Sequence, residues 1–585
     1  MDNKTNKYME KIEEMRHSLS HVLAAVVSDL FPGVKFGIGP AIENGFYYDF
    51  DFPETISQDD LPRIEEKMKE FLKKNSRFEK KEISKKEAEE IFKDQPYKLE
   101  LLQEMEGEIS TYENNGFVDL CKGPHVESTK KIAKDGFKLI NTAGAYWKGS
   151  EKNKMLTRIY GIAFASKKEL DDYLVLLEEA KKRDHRVLGK QLGIYAIYPE
   201  IGAGLPVWLP NGYRIRRTLE DYMIAMEREY GYEHILTPHI GKDVLFKTSG
   251  HLDFYKDSMY APIEIDEETY YLKPMNCPMG IMVYKSEPRS YRDLPMKLGE
   301  FGTVYRYEKS GELSGLSRVR GFTQNDAHIF CTAEQLLDQF LEVFEMLQKF
   351  LKDLGFTNYR FRLGLGDPEK EKFKYCGTRE NWEHAENTIR KALNKAKVRY
   401  YEAFGEAAFY GPKLDVQASD PLGREESIST IQIDFNLPEK FDLNYKKSDN
   451  QDERPFVIHR ALIGSFERFF AFLIEFYAGD FPLWLSPLQV MIVPISEKQN
   501  GYAEEIKQKL KEKGITVEID NQNRPMQGKL RNAQLRKIPY TLVIGEKEVT
   551  AKTVSVRTRE KDLGPIPAED FIEKVFNEIQ TKKHI

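Results

Sequence analysis

No single hydrophobic core can hold a chain of 585 residues. Cores stop growing at about 250–300 residues, so a chain of this length divides into about three domains. Changes of pattern show where. The first section, residues 1–180, opens with HSLSHVLAAVVSDLF, an apolar-periodic run that reads as a helix stopped by Pro32-Gly33. GFYYDFDF then alternates as a strand does. The charged run LEEAKKRDHRVLGKQL reads as a solvated helix leading into the second section, residues 181–485. That section carries long aromatic and β-branched strands such as VRYYEAF and ISTIQIDFNL. Residues 486–585 turn to shorter alternation: LQVMIVPI, a Lys-rich helix, ITVEID, a basic helix, YTLVIG. Strands and helices at that spacing predict a small α/β domain with a largely parallel sheet. The basic helix, GKLRNAQLRK, gathers Lys529, Arg531, Arg536 and Lys537, either as a solvated face or as an anion contact.

Composition excludes more than it selects. A formal charge of −6 does not announce a nucleic-acid binder, yet a local basic surface suffices to follow a phosphate backbone. Four cysteines cannot staple a chain this long and point to a reducing interior. The charged start, MDNKTNKYMEKIEEM, lacks an apolar core of signal-peptide length, and no apolar run approaches the ~20 residues of a membrane span. The expected location is cytoplasmic.

The segment RGFTQNDAHIFC, residues 320–331, is the informative one. Alternate side chains of a strand share a face, so Phe322, Gln324, Asp326 and His328 line up together. Such a face belongs either to an edge strand in water or to the wall of a site. Nearby stand Arg306 and Glu308, two apart on an expected strand, then Arg318 and Arg320. Gly464 and Arg468 fall on an expected helix in HRALIGSFERF. Separated arginines around one pocket suit a polyphosphate, because guanidinium forks match phosphate oxygens, although any one alone is equally a surface ion-pair partner. GxxxxGK[ST] is absent, which rules out a P-loop.

These segments carry a resemblance. Arg306-Tyr-Glu308 with Phe322 resembles motif 2 of the class II aminoacyl-tRNA synthetases, Gly464 to Arg468 resembles motif 3, and YGYEHILTPHI, with Pro238, resembles the dimer-forming motif 1. Within that class KPMNCPMG, FTQNDAHIFC, FYGPKLDV and IHRALIGSFERF are similar to the threonyl-tRNA synthetases, and the likeness runs from His17 onward. It implies an α+β multidomain protein: an N-terminal α+β editing domain, a class II antiparallel sheet of about six or seven strands, and a C-terminal α/β anticodon-binding domain. The partners implied are ATP, L-threonine, threonine tRNA and a second copy of the chain.

The resemblance also distributes roles. Arg306 contacts the α-phosphate and the threonine carboxylate, Glu308 holds the adenine amino group, Phe322 stacks on the ring, and Gln432 lines the nucleotide site. Arg468 covers the far side of ATP, and Arg318 stands near its terminal phosphates with magnesium. Cys277, His328 and His459, which sequence spacing alone does not unite, bind zinc in the family. A thiolate and two imidazoles leave a position open for the substrate amino and hydroxyl groups. That rejects valine, which an apolar pocket separates from threonine only by about a hundredfold. Asp326 accepts from the hydroxyl; Gln324 and Tyr410 surround the amino group. His251, in SGHLDFY, matches a histidine near the terminal ribose and is the candidate for taking the proton of the attacking 2′-hydroxyl.

Serine retains both groups and lacks only a methyl, worth about 1–3 kcal/mol, so a hydrolytic site is the remedy. His17 and His21 share a helix face, and Cys121 and His125 form a second pair in DLCKGPHVEST. Ser18 stands where HExxH would place glutamate. The section resembles the editing domain of threonyl-tRNA synthetases, whose alanyl relatives bind zinc with these four positions while the threonyl family works without it. Lys98 and Asp119 match further residues of that pocket, Tyr48 lies on its strand, and His17 or Cys121 would polarise the water. Three departures stand out. Ser427, in REESISTIQIDF, replaces a glutamine of the threonine site; DNQNRPMQG departs from the usual D-x-R-x-E pattern; and the ubiquitin-like domain that many members carry before the editing domain is not in the sequence. The rival readings are an RNA-binding regulator without aminoacylation and a metal-dependent hydrolase centred on the N-terminal histidines.

Overall fold

A computed structural model describes residues 3–150, 152–371, 374–420 and 423–583. Contacts divide the chain into two units, Met1–Glu178 and Glu179–Ile585.

In the first unit the apolar-periodic run lies in a helix, Asn3–Leu30, that ends just before Pro32-Gly33. Its stripe Leu19, Val22, Leu23 and Val26 is buried with Phe46, Tyr48 and Phe50 of the strand Gly45–Asp51 and with Ile64, Met68 and Phe71 of the helix Leu61–Leu72. That strand does not alternate in burial: both its faces are largely covered, and Asp49 is kept from water by the paired guanidinium of Arg158, 2.6 Å away. It pairs antiparallel with Met155–Ala163, which pairs with Phe137–Tyr146. A second antiparallel sheet joins Glu79–Ile83, Ile109–Asn114 and Phe117–Leu120.

The expected solvated helix is two helices, Lys167–Arg183, within which the boundary between the units falls, and His185–Gln191 in the second unit. Asp184 breaks them apart because its side chain caps the second, accepting from the Arg186 amide. The main sheet has eight strands rather than six or seven. Its middle, from Met296–Tyr305 through Gly321–Cys331, Phe456–Ser465, Glu425–Asp434 and Lys413–Ser419 to Tyr359–Leu365, is antiparallel throughout. Short parallel strands, Glu233–His234 and Tyr400–Phe404, are added at either edge. The helices Leu336–Asp353, Arg379–Lys395 and Phe466–Tyr477 contribute to one large core with the sheet.

Residues beyond 486 form a five-stranded sheet that is parallel only over Val517–Ile519, Val490–Pro494 and Tyr540–Ile544; Thr553–Thr558 and Asp562–Pro567 run antiparallel. The basic helix is Met526–Leu535, and its charge is mostly spoken for. Lys529 is buried and donates to the Pro494 carbonyl, Arg536 pairs with Glu518, and Lys537 pairs with Asp480.

Candidate active site

The polar strand is central, not an edge: Gly321–Cys331 has a partner on each side. Strand alternation points Gln324, Asp326 and His328 one way, and opposite Gln324 and Asp326 the strand Phe456–Ser465 bulges, with Ser465 and Ala461 as their partners. His328 lies directly opposite His459 in the ladder. The helix Cys277–Lys285 brings Cys277, its first residue, over the same spot. A methyl group on Gly280 would stand 3.2 Å from His328 Nδ1, a tight contact that glycine spares the helix. One donor atom from each of Cys277, His328 and His459 lies within 4.8 Å of the others, and all three residues are buried.

The electrostatics of this trio ask for a cation. Burial, with Asp326 and Asp434 nearby, pushes the Cys277 thiol well up. Burial lowers His328 to about 4, and its Nε2 is buried without a hydrogen-bond partner. His459 Nε2 donates to Asp434 Oδ2 at 2.9 Å, which leaves Nδ1 as its lone-pair donor. Asp434 is itself fixed by the Asn436 and Leu437 amides. A cysteine sulfur that gives up its proton on ligation, an orphaned imidazole nitrogen and an oriented imidazole fit zinc by softness and number.

Two cavities open beside the trio. One, of about 420 Å³, is lined by Cys277, His459, Gln324, Asp326, Arg306 and Tyr410. The other, of about 280 Å³, is lined by Glu308, Arg318, Phe322, Gly464 and Arg468. Arg306, Gln324 and Gln432 line both, so the cavities meet there. Arg306 lies just past the strand Met296–Tyr305 rather than on it, donates to the Pro274 carbonyl, and sits 5.0 Å from the Phe322 ring centroid. Gly464 ends the strand Phe456–Ser465, and Arg468 falls in the first turn of the helix Phe466–Tyr477; a φ of +63° at Gly464 lets the chain leave the sheet. Glu308 is paired with Arg318, which also holds Glu312. Tyr410 donates to Gln432, and Asn276 to Asp326.

Two expected residues stand elsewhere. Ser427 lines the second cavity, not the first, and its hydroxyl accepts from Gln417 at 2.6 Å. His251 lines neither: it is fully buried, bonded to Ser249 and packed against Phe246, Tyr255 and Phe409, and burial lowers it to about 3. Lys413 was not singled out in sequence but lines both cavities, 3.0 Å from Asp415. Its signal was a lone cation inside the strand KLDV. Asp434 was missed as well, because a carboxylate behind a ligand has no spacing rule.

In the first unit Cys121 Sγ lies 3.2 Å from His17 Nε2 and 3.3 Å from His125 Nε2. Tyr48, Lys98 and Asp119 form a second, buried knot: Lys98 Nζ is 2.6 Å from Asp119, which also accepts from Tyr48. His21 falls outside the trio, buried edge-on to Phe78, Phe117 and His125, with neither ring nitrogen bonded. Ser18 contacts His125 Nδ1 at 3.1 Å. Burial raises Cys121 to about 11 and lowers His125 to about 2, and it also lowers His17. His17 Nδ1 faces the Pro124 carbonyl at 3.2 Å, so its Nε2 carries the lone pair.

An antiparallel sheet bearing this arginine-lined groove defines a class II aminoacyl-tRNA synthetase, and residues 260–477 match the family of tRNA synthetase class II core domains (G, H, P, S and T). Residues 489–578 match the anticodon-binding domain, and residues 109–160 the threonyl and alanyl tRNA synthetase second additional domain. The threonine–tRNA ligase of Deinococcus deserti is 51% identical over 93% of this chain and 85% of that protein. The one from Staphylococcus carnosus is 48% identical over 98% and 89%. The chain belongs to the threonine–tRNA ligase family. Among solved structures, the RNA binding domain of threonyl-tRNA synthetase from Cryptosporidium parvum Iowa II has a TM-score of 0.64 at 38% identity, covering 68% of this chain and 98% of that one. The fold is shared with Giardia lamblia prolyl-tRNA synthetase, at a TM-score of 0.53 and 19% identity over 68% and 80% of the two chains.

Proposed function

We propose that the larger cavity takes L-threonine, the arginine-lined one takes ATP with its magnesium, and the two substrates meet at Arg306. The chain joins threonine to its tRNA through threonyl-adenylate and hydrolyses serine mischarged onto that tRNA. A threonine carboxylate oxygen attacks the α-phosphorus, the bond to the β-phosphate oxygen breaks, and pyrophosphate leaves. Catalysis is then placement and charge neutralisation by Arg306 and Lys413 at the reacting centre and by Arg318 and Arg468 along the polyphosphate. Glu308 and Phe322 hold the adenine, which requires Glu308 to leave Arg318; Gln432 borders both substrates.

Cys277, His328 and His459 would hold zinc. When bound, it supplies a Lewis-acid position that recognises an amino and a hydroxyl group together. Asp326 accepts from the threonine hydroxyl, and Gln324 and Tyr410 border the amino group. His251 serves the transfer step once the segment His251–Phe254 has opened; loss of single-turnover transfer in H251A, with adenylate formation intact, checks this.

In the first unit His17 Nε2 is the base that takes the proton of a water attacking the seryl ester, with Cys121 as a thiol beside it. His125 and His21 wall the site, and Tyr48, Lys98 and Asp119 fix its floor. Editing proceeds there without metal. Leu236, 85% exposed, gives the motif 1 segment an apolar contact for a homodimer. The protein works in the cytoplasm, and no helix among the described residues is long and apolar enough to cross a membrane.

The observation that carries this reading is the trio meeting beside Asp326, in a cavity that shares Arg306 with the polyphosphate groove. Threonine-dependent ATP–pyrophosphate exchange tests it: threonine supports exchange and valine does not. Equal exchange with both amino acids refutes the zinc pocket, and no exchange refutes the synthetase reading.

A further inference from the structure

Asp184, His185 and Glu475 also place donor atoms within 4.8 Å of one another, lining a cavity of about 180 Å³ with Ser314, Ser317 and Arg468. Both nitrogens of His185 are already committed, so this is not a metal site. Nδ1 donates to Glu475 Oε1 at 2.7 Å, and Nε2 accepts the Leu316 amide at 3.1 Å. Glu475 also accepts from the His185 amide and from Arg424, while Asp184 is taken up by Arg186. His185 is buried.

Leu316 sits at the centre of a tight turn in which Ser314 and Arg318 exchange backbone hydrogen bonds. Its side chain is buried in the main core. The next residue, Ser317, offers its carbonyl to Arg468 Nε at 3.2 Å. The turn is therefore gripped at Ser317 by Arg468 and at Leu316 by His185. Gly315 has a φ of +48°, and a methyl group there would come within 2.3 Å of His185 Nε2. Arg318 leaves this same turn toward the nucleotide cavity.

We propose that His185 is a positioning residue for ATP. Through its Nε2 it holds the Ser314–Arg318 turn so that Arg318 and Arg468 stand at the polyphosphate end of the groove. A residue of the short helix after Arg183, far from the motifs in sequence, thus completes the nucleotide site. None of these groups lines the threonine cavity, so the effect falls on one substrate.

The inference rests on the ATP reading above, which wild-type exchange tests on its own. Asparagine places its amide where Nδ1 stands and keeps the Glu475 bond; glutamine reaches the place of Nε2 and keeps an acceptor for Leu316. Exchange kinetics of H185N should show the KM for ATP raised roughly five- to tenfold, the value of one buried hydrogen bond. The KM for threonine should stay within about twofold, and H185Q should recover most of the ATP effect. If H185N is insoluble, G315A, whose methyl would meet His185 Nε2, pushes the turn away at the same contact and should raise the same KM alone. Equal behaviour of H185N and H185Q, parallel changes in both KM values, or an unchanged ATP KM in H185N or, where H185N is insoluble, in G315A would overturn the proposal. Absence of exchange in the wild type would instead remove the ATP reading beneath it.

Discussion

Asp434 lines neither of the two cavities, yet it decides which nitrogen of His459 faces the trio. It is fully buried, accepts two backbone amides on one oxygen and binds His459 Nε2 with the other. Outer partners of this kind are worth about 10–100-fold in metal affinity. D434A should weaken zinc by that much in a chelator competition while the helix Cys277–Lys285 keeps its place. His17 and Cys121 make a similar point in the other unit. Their adjacency alone would allow a thiolate–imidazolium pair, but burial drives the thiol up and the imidazole down, which favours the neutral pair and suits the proposed role of His17 as base.

A strand serves two faces at once, and Phe456–Ser465 shows the consequence. His459 turns to the cavity, while its neighbour Arg460 turns to Glu227 of the helix Pro210–Glu229, the two side chains fully buried and 2.6 Å apart. Asn325 and His234 hold the same carboxylate. R460A strands that carboxylate away from water and should cost about 3–5 kcal/mol, seen as a lowered melting temperature with zinc content retained. Period-two alternation made the polar face of Gly321–Cys331 legible in advance, and motif order made the groove legible. Element ends were harder. Gly464 and Arg468 read as one helix, whereas a positive φ at Gly464, invisible in a sequence, and the Ser465 cap on the Arg468 amide separate strand from helix. The split at Asp184 was hidden for the same reason, since a capping side chain looks like any other charge in a charged run. Arg536 and Lys537, just past Met526–Leu535, read as part of a basic face because their acidic partners, Glu518 and Asp480, stand far off in the sequence.

For the whole molecule, buried histidines set the acid limit. His21 is lowered to about 4, His125 to about 2 and His251 to about 3, all by burial, from 6.5. Below 6.5 the unfolded chain takes up protons that the folded one refuses, so their stabilising contribution is intact above that pH and falls as pH drops. At pH 5 each costs on the order of 1–2 kcal/mol relative to pH 7. The melting temperature should fall between pH 7 and pH 5, and H21F, which removes one such group without a bonded partner, should flatten that slope. The central claim is that remote Cys277, His328 and His459 make one metal site that chooses the amino acid. Elemental analysis of freshly purified wild type beside C277A tests it most directly. About one zinc per chain in the wild type and almost none in C277A is the predicted result; no zinc in either, or equal zinc in both, would contradict it.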